Sequence, residues 1–262
     1  MHITLRTHTN LDYWTSRWDR IPVDQAMTNT NAYPLKYALE AVQRNDGPIL
    51  EAGCGTGRIL RYFHERGYDI EGFDFVESVI DRLKETDSSL KIARGDITNL
   101  KYDDTTFRYF LAYGLYHNLP LNLFQKGLEE THRVLEPGGF LSASCRADNF
   151  QNRLNDIHAQ LRSKSAKKDE RRFHKINLTK TEFCRLVEQF GFKIIAVHHV
   201  ENMPFLYKFR VFRRADHKMF DENKGRNEGY QLSLIGRSLQ KFVMRNFSDQ
   251  FCNINVITAQ RI

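Results

Sequence analysis

The sequence predicts an α/β fold built on a doubly wound, mainly parallel sheet. Three observations lead there. Short apolar runs alternate with amphipathic helical patterns from residue 48 to residue 145. Such alternation requires crossover helices, which cover both faces of a parallel sheet. Three glycines punctuate the first strand-to-helix junction, in Glu51-Ala52-Gly53-Cys54-Gly55-Thr56-Gly57. Finally, Pro137-Gly138-Gly139 separates a long helical pattern from the next apolar run.

The elements follow in chain order. After a polar start, residues 12–18 read as a short amphipathic helix, and a second helix covers about 32–43. Asn45-Asp46-Gly47-Pro48 breaks it. Strands are expected at 48–52, 68–73, 90–95, 107–112 and 139–145, with helices at 57–66, 76–85 and 121–135. The alternation then loosens. Residues 150–176 are polar and basic, with Arg162, Lys164, Lys167, Lys168, Arg171, Arg172 and Lys175. A helix over 179–190 opens at Thr179 and closes at Gly191, and a strand covers 192–200. Residues 204–247 read as helical and basic, with a polar break at 221–229, before a last strand at 251–259. The result is one domain with seven strands. Residues 1–45 form a helical lid, 46–203 and 248–262 the core, and 204–247 a helical cap insertion.

The chain has 262 residues, of which 41% are apolar, enough for a full core. No apolar run approaches the roughly 20 residues that span a bilayer, and Met1-His2-Ile3-Thr4-Leu5 lacks the apolar stretch of a signal peptide. Cys54, Cys145, Cys184 and Cys252 are scattered without a C-x-x-C, so neither a disulfide framework nor a metal site is expected. A cytoplasmic location fits. The net charge of +7 favours an anionic substrate, nucleic acid or an acidic membrane surface, without choosing among them.

The glycine turn carries the functional information. Glycine permits backbone angles closed to other residues and lets a ligand approach closely. The helix start behind it offers unpaired N–H groups and a partial positive charge. A nucleotide-like cofactor is the expected occupant. A dinucleotide fingerprint reads G-x-G-x-x-G, whereas these glycines stand at 53, 55 and 57, preceded by Glu51. The second strand ends at Asp74, 17 residues after Gly57, near the spacing of an acid that accepts from two ribose hydroxyls. A solvent-facing loop acid or a helix N-cap is the alternative reading of Asp74. Phe75 follows it, as an adenine-stacking ring or a core residue.

Glu51-x-Gly53-x-Gly55-x-Gly57 resembles motif I of the class I S-adenosylmethionine-dependent methyltransferases. Glu130-Thr131-His132-Arg133-Val134-Leu135-Glu136-Pro137-Gly138-Gly139 resembles the E-x-x-R-V-L-x-P-G-G signature of the same family (of the methyltransferase type 11 kind), and the matches span about 48–145. The resemblance implies a Rossmann-like fold with an antiparallel last strand, S-adenosylmethionine as cofactor and S-adenosylhomocysteine as product. It implies cofactor contacts from Glu51, Gly53, Cys54, Gly55, Thr56, Gly57 and Asp74, with Asp96 and Ile97 at the adenine. Tyr13 and Arg17 are candidate lid residues, Arg17 facing the methionine carboxylate. The family often has an acid at the start of the fourth strand; Phe107-Arg108 lacks it, although Asp103-Asp104 lies just upstream.

His117 follows the fourth strand in Leu115-Tyr116-His117-Asn118-Leu119-Pro120 and is the candidate general base, with a structural role as the alternative. Tyr113 and Tyr116 are candidates to shape the pocket. His174, His198 and His199 are weaker candidates, and alternation along a strand lets only one of His198 and His199 face it. Residues 205–214 mix aromatics with arginines. As a helix they would put Phe205, Phe209 and Phe212 on one face, either packed as a cap or docked on anionic lipid. The expected reaction is methyl transfer to an oxygen or nitrogen of a small or medium metabolite, with anionic compounds, saccharides and lipid-linked intermediates as the expected acceptor classes. An RNA methyltransferase and a non-catalytic cofactor-binding protein are the alternatives. The basic charge motivates the first, but no RNA-binding motif and no N-P-P-Y/F-like tetrapeptide supports it.

Overall fold

The computed structural model describes residues 1–162, 171–201, 203–216 and 231–262. The parts of the 150–176 basic run and of the 221–229 break that fall outside these ranges lie outside the described residues. Seven strands form the main sheet: β2 (Ile49–Ala52), β3 (Ile70–Asp74), β4 (Lys91–Arg94), β5 (Phe107–Ala112), β6 (Leu135–Arg146), β8 (Phe192–His199) and β9 (Ile254–Arg261). Their order is β4-β3-β2-β5-β6-β9-β8. The first five run parallel, and β9 is antiparallel to both β6 and β8. The strand order reverses direction at β2 and β5, where ligands of such sheets sit beyond the carboxyl ends.

Helices cover both faces. On one face α2 (Leu35–Ala41), α3 (Arg58–His64) and α4 (Glu77–Thr86) bury Leu35, Leu60, Phe63 and Leu83 against Ile49 and Leu111. On the other, α5 (Leu121–Val134) and α7 (Lys180–Glu188) bury Phe124, Leu128, Phe183 and Val187 against Phe110 and Leu141. A reciprocal capping box starts α7: Thr179 accepts from the Glu182 amide, and Glu182 accepts from the Thr179 amide. The same device, Thr9 with Asp12, starts α1 (Asn10–Trp18).

Three features depart from the sequence reading. The polar start contains β1 (His2–Arg6), which pairs antiparallel with β7 (Arg172–Asn177) in a second, two-stranded sheet. Before β7, Phe150–Arg162 forms helix α6. This helix buries the polar Gln151, Asn152 and Asp156 and exposes Phe150, Leu154 and Ile157, so its pattern hides it from a search for amphipathic helices. Third, 205–214 is not one helix. Only Pro204–Tyr207 (α8) is helical, and turns continue to Arg213. Phe205, Phe209 and Phe212 still lie near one another, at 5.1 Å and 6.2 Å between successive rings. The long helix of this region is α9 (Leu234–Phe251), with non-helical backbone at Phe247. It runs past residue 247, and the last strand accordingly starts at Ile254 rather than 251.

Candidate functional site

The glycine turn is stitched to the strand ends beside it. Gly55 N donates to Asp74 Oδ2 at 2.9 Å, and Val76 N donates to Asp74 Oδ1 at 3.0 Å. Cys54 N donates to the Phe73 carbonyl at 2.9 Å. Gly55 and Gly57 have φ of +52° and +69°, the left-handed region that glycine tolerates. Asp74 is only 3% exposed. Burial raises its pKa, and the amides of Val76, Gly55 and Phe75 oppose that rise. Asp74 is thus neither a solvent-facing loop acid nor the N-cap of α4, which is Val76. The carboxylate holds the turn, and it also lines a cavity.

That cavity has a volume of about 990 Å³ and opens beyond the carboxyl ends of β2, β3, β4 and β5. One half is walled by Glu51, Gly53, Cys54, Asp74, Phe75 and Asp96, with Ile97 below. Asp96 Oδ1 accepts from the amide and hydroxyl of Thr98 at 2.8 Å and 2.9 Å, which fixes its turn. Burial beside Asp74 and Glu51 pushes the Cys54 thiol well up, so it stays protonated at neutral pH.

Helix α1 roofs this half. Trp14 and Trp18 stack at 5.1 Å, and Arg17 lies 5.2 Å over the Trp14 ring. Trp14, Arg17 and Trp18 all line the cavity. Arg82 of α4 anchors the roof, donating to the Trp18 carbonyl at 2.8 Å and the Ile21 carbonyl at 3.1 Å. Tyr13 is placed differently: it does not line the cavity, but accepts from Arg17 at 3.0 Å and carries the Arg6 guanidinium 4.0 Å over its ring.

Gly55, Thr56 and Gly57 also lie behind the cavity wall. A Cβ on Gly55 would come within 2.7 Å of Trp18 Cζ2, and one on Gly57 within 2.9 Å of Leu83. Their part is to shape the turn and let the roof and α4 close on it.

The other half of the cavity is aromatic and polar. The Tyr113 hydroxyl bonds Ser142 at 2.6 Å, and its ring meets Tyr33 edge-on at 6.1 Å. The Tyr33 hydroxyl bonds Ser144 at 2.9 Å, and the same Ser144 oxygen accepts from Gly114 N. Tyr37 lies 5.4 Å from the His198 ring. Burial pushes Tyr37 up to about 12 and Tyr113 well up, so both keep their protons at neutral pH. Gln240, Met244 and Ser248 of α9 close the far wall. Of these walls only Tyr113 and, as a weaker candidate, His198 were named from sequence. They come from segments far apart in the chain, and tyrosines in a helical pattern read equally well as core.

His117 requires a correction. It sits in a short 3₁₀ turn, Tyr116–Asn118, on the side of the β5 loop away from the cavity. Its ring is bonded to the Ser144 backbone and faces Arg146, Lys175 and His174; burial and these cations push it down to about 3. It remains neutral and is a weak base. His198 and His199 both line the cavity, against the expectation from alternation. They lie at the end of the edge strand β8, whose register shifts between Ile194 and Ala196. His199 is held between Asn255 Oδ1 at 2.9 Å and Asp249 Oδ1 at 3.0 Å. His198 Nε2 lies 3.8 Å from Glu40 Oε2. Among the described residues, no group of three or more His, Cys, Asp or Glu side chains forms a metal site.

An acid-lined cleft at the switch point of a doubly wound sheet is where this architecture takes nucleotide-type ligands. Residues 49–139 match the model of a methyltransferase domain. The chain is 27% identical over 165 residues to a malonyl-[acyl-carrier protein] O-methyltransferase of Buchnera aphidicola, covering 62% of this chain and 64% of that protein. It is 38% identical over 100 residues to a demethylmenaquinone methyltransferase of Staphylococcus epidermidis, covering 35% and 40%. It thus spans less than two thirds of the length of either relative. Among solved structures, a Methanosarcina mazei S-adenosylmethionine-dependent methyltransferase superposes with a TM-score of 0.58 at 16% identity, over 88% of this chain and 98% of that one. A Burkholderia thailandensis 1,6-didemethyltoxoflavin-N1-methyltransferase bound to S-adenosylhomocysteine gives 0.55 at 15%, over 96% and 83%. These structures share the fold. Residues 49–139 thus match a methyltransferase domain, and the chain shares the fold of the S-adenosylmethionine-dependent methyltransferases.

Proposed function

We propose that this chain transfers a methyl group from S-adenosylmethionine to a nucleophile on a small or medium metabolite. The observation that carries the reading is the cavity wall itself. Glu51, Asp74 and Asp96 present carboxylates at the ends of three adjacent parallel strands, with Phe75 and Ile97 between them. This set fits an adenosyl amino acid: carboxylates accept from hydroxyl and amino groups, apolar side chains sandwich a base, and Arg17 on the roof suits a carboxylate. When bound, the cofactor supplies a methyl group already activated on sulfur.

The protein's own work is then positioning, exclusion of water and removal of a proton. The Trp14–Trp18 roof excludes water from the cofactor half. Tyr33, together with Tyr37 and Tyr113, which keep their protons at neutral pH, presents fixed aromatic faces to the acceptor. With His117 outside the cavity, His198 takes the general-base role, with Glu40 Oε2 3.8 Å from its Nε2. The named relatives and the toxoflavin neighbour are methyltransferases of small or carrier-bound acceptors, which supports a metabolite over RNA.

The test is transfer of labelled methyl to a panel of carboxylates, quinols, heteroaromatic amines, saccharides and total RNA. Turnover of a small acceptor, with kcat reduced about a hundredfold or more in His198→Gln, is expected from loss of a general base. Transfer to RNA alone would replace the metabolite reading, and an unchanged kcat in the variant would remove His198 from the chemistry.

A further inference from the structure

Helix α9 has two faces with different work. Its inner face supplies Gln240, Met244 and Ser248 to the cavity wall. Its outer face is exposed and carries large apolar side chains: Leu234 is 75% exposed, Ile235 63% and Phe242 61%. At 100° per residue these three lie within one arc, and Arg237, Lys241 and Arg245, all exposed, lie along its flank. Within α9 the acidic residue is Asp249, near its end, and it is occupied with Lys180 and His199.

Helix α6 packs beside α9 and repeats the pattern. Asn149, just before α6, donates to the carbonyls of Asp249 and Cys252, and Lys208 reaches Asn155 from the turn after α8. Phe150, Leu154 and Ile157 of α6 stand one above another on its outer side, at spacings of four and three residues. Gln151, Asn152 and Asp156 are turned inward, where Asp156 pairs with Lys175 at 3.0 Å and accepts from Asn177 at 2.9 Å, while Arg153 and His158 stay exposed. Exposing the apolar side of a helix while burying its polar side costs free energy in water. Exposed apolar stripes on two helices that pack on each other are of the kind that mark an interaction surface.

We propose that the outer face of the α6–α9 layer docks on an anionic lipid bilayer. Charge complementarity selects this occupant. Basic side chains alternate with aliphatic and aromatic ones along α9, and the turn before it adds exposed Val211 and Phe209 beside Arg210. Arginine and lysine engage the headgroups while Leu234, Ile235 and Phe242 enter the acyl boundary. The 205–214 segment contributes as a turn at the edge of this face rather than as the docking helix. Docking would bring the helix that walls the acceptor half of the cavity to the lipid surface. The surface is read from exposure and charge alone, so the proposal stands apart from the methyl-transfer reading.

The test is flotation of the full chain with vesicles of phosphatidylcholine alone and of phosphatidylcholine mixed with phosphatidylglycerol. Three variants are compared: Phe242→Ser, Leu234→Ser with Ile235→Ser, and the triple Arg237→Gln, Lys241→Gln, Arg245→Gln. The expected result is salt-sensitive binding to the mixed vesicles, weakened roughly a hundredfold in the triple variant and also reduced in the serine variants. Unchanged binding of S-adenosylhomocysteine by each variant shows that the fold is intact. No binding to mixed vesicles, or binding that none of the variants weakens, overturns the proposal. A concentration-dependent dimer that Phe242→Ser abolishes would assign the face to a second copy of the chain and overturn it as well.

Discussion

Gly55 joins local backbone and site more tightly than any neighbour. Its φ of +52° excludes a relaxed L side chain, and the Trp18 ring fills the space a Cβ would occupy. Gly55→Ala is expected to cost about 1–3 kcal/mol of stability and to lift the roof from the turn, weakening cofactor binding. Thermal unfolding and ligand titration measure the two effects, and a variant unchanged in both would contradict this role. The acids and glycines of the site were readable because their spacing is local, set by one strand, one turn and one helix. Tyr33, Tyr37 and Met244 were not. Each reaches the cavity from a separate segment, and nothing in its own neighbourhood distinguishes a wall residue from a core residue.

At the scale of elements, the β1–β7 sheet is a polar joint. Thr4 Oγ1 lies 3.2 Å from His174 Nδ1, and His174 faces Lys175, Arg6 and Arg146 with Asp156 as the counter-charge. Burial, with these cations, pushes His174 down to about 4, and His117 beside it to about 3. An unfolded histidine titrates near about 6.5. Below that pH the unfolded chain binds more protons than the folded one. The stability these neutral rings contribute is therefore full above about pH 6.5 and is lost as the pH falls toward their folded values. Urea unfolding between neutral pH and about pH 4.5 should show this loss, and a His117→Gln, His174→Gln double variant should flatten it. An equal slope in both proteins would contradict the assignment.

The roof is another element-scale device. Arg82→Ala removes both of its donors to the Trp18 and Ile21 carbonyls. It should weaken cofactor binding by about tenfold, the equivalent of roughly 1.4 kcal/mol, while the circular dichroism of the sheet persists. Unaltered affinity would show that the roof holds without it. The elements between 48 and 145 were legible because a strand buried on both sides and a helix buried on one leave distinct periods. Strand β1 was not, since its partner β7 lies about 170 residues away. Helix α6 was not, because its apolar stripe faces outward and its buried side is polar.

In the whole molecule, a parallel sheet places three acids along one edge of a cleft. An N-terminal roof closes one half of that cleft, and a helix from beyond the sixth sheet strand, β8, walls the other. On the proposed reading, the cofactor side lies toward the glycine turn and the acceptor side toward β8 and α9. The net charge of +7 gains a location as well, in part along the exposed flank of α9.

Calorimetric titration of the purified chain with S-adenosylmethionine, S-adenosylhomocysteine and NAD(H), repeated with Asp74→Asn, tests the central claim most directly. The account predicts binding of the two adenosyl ligands and not of the dinucleotide, with affinity lost in the variant as one carboxylate oxygen becomes a donor. Binding of NAD(H) in preference, or of the adenosyl ligands with equal affinity in the variant, would contradict it.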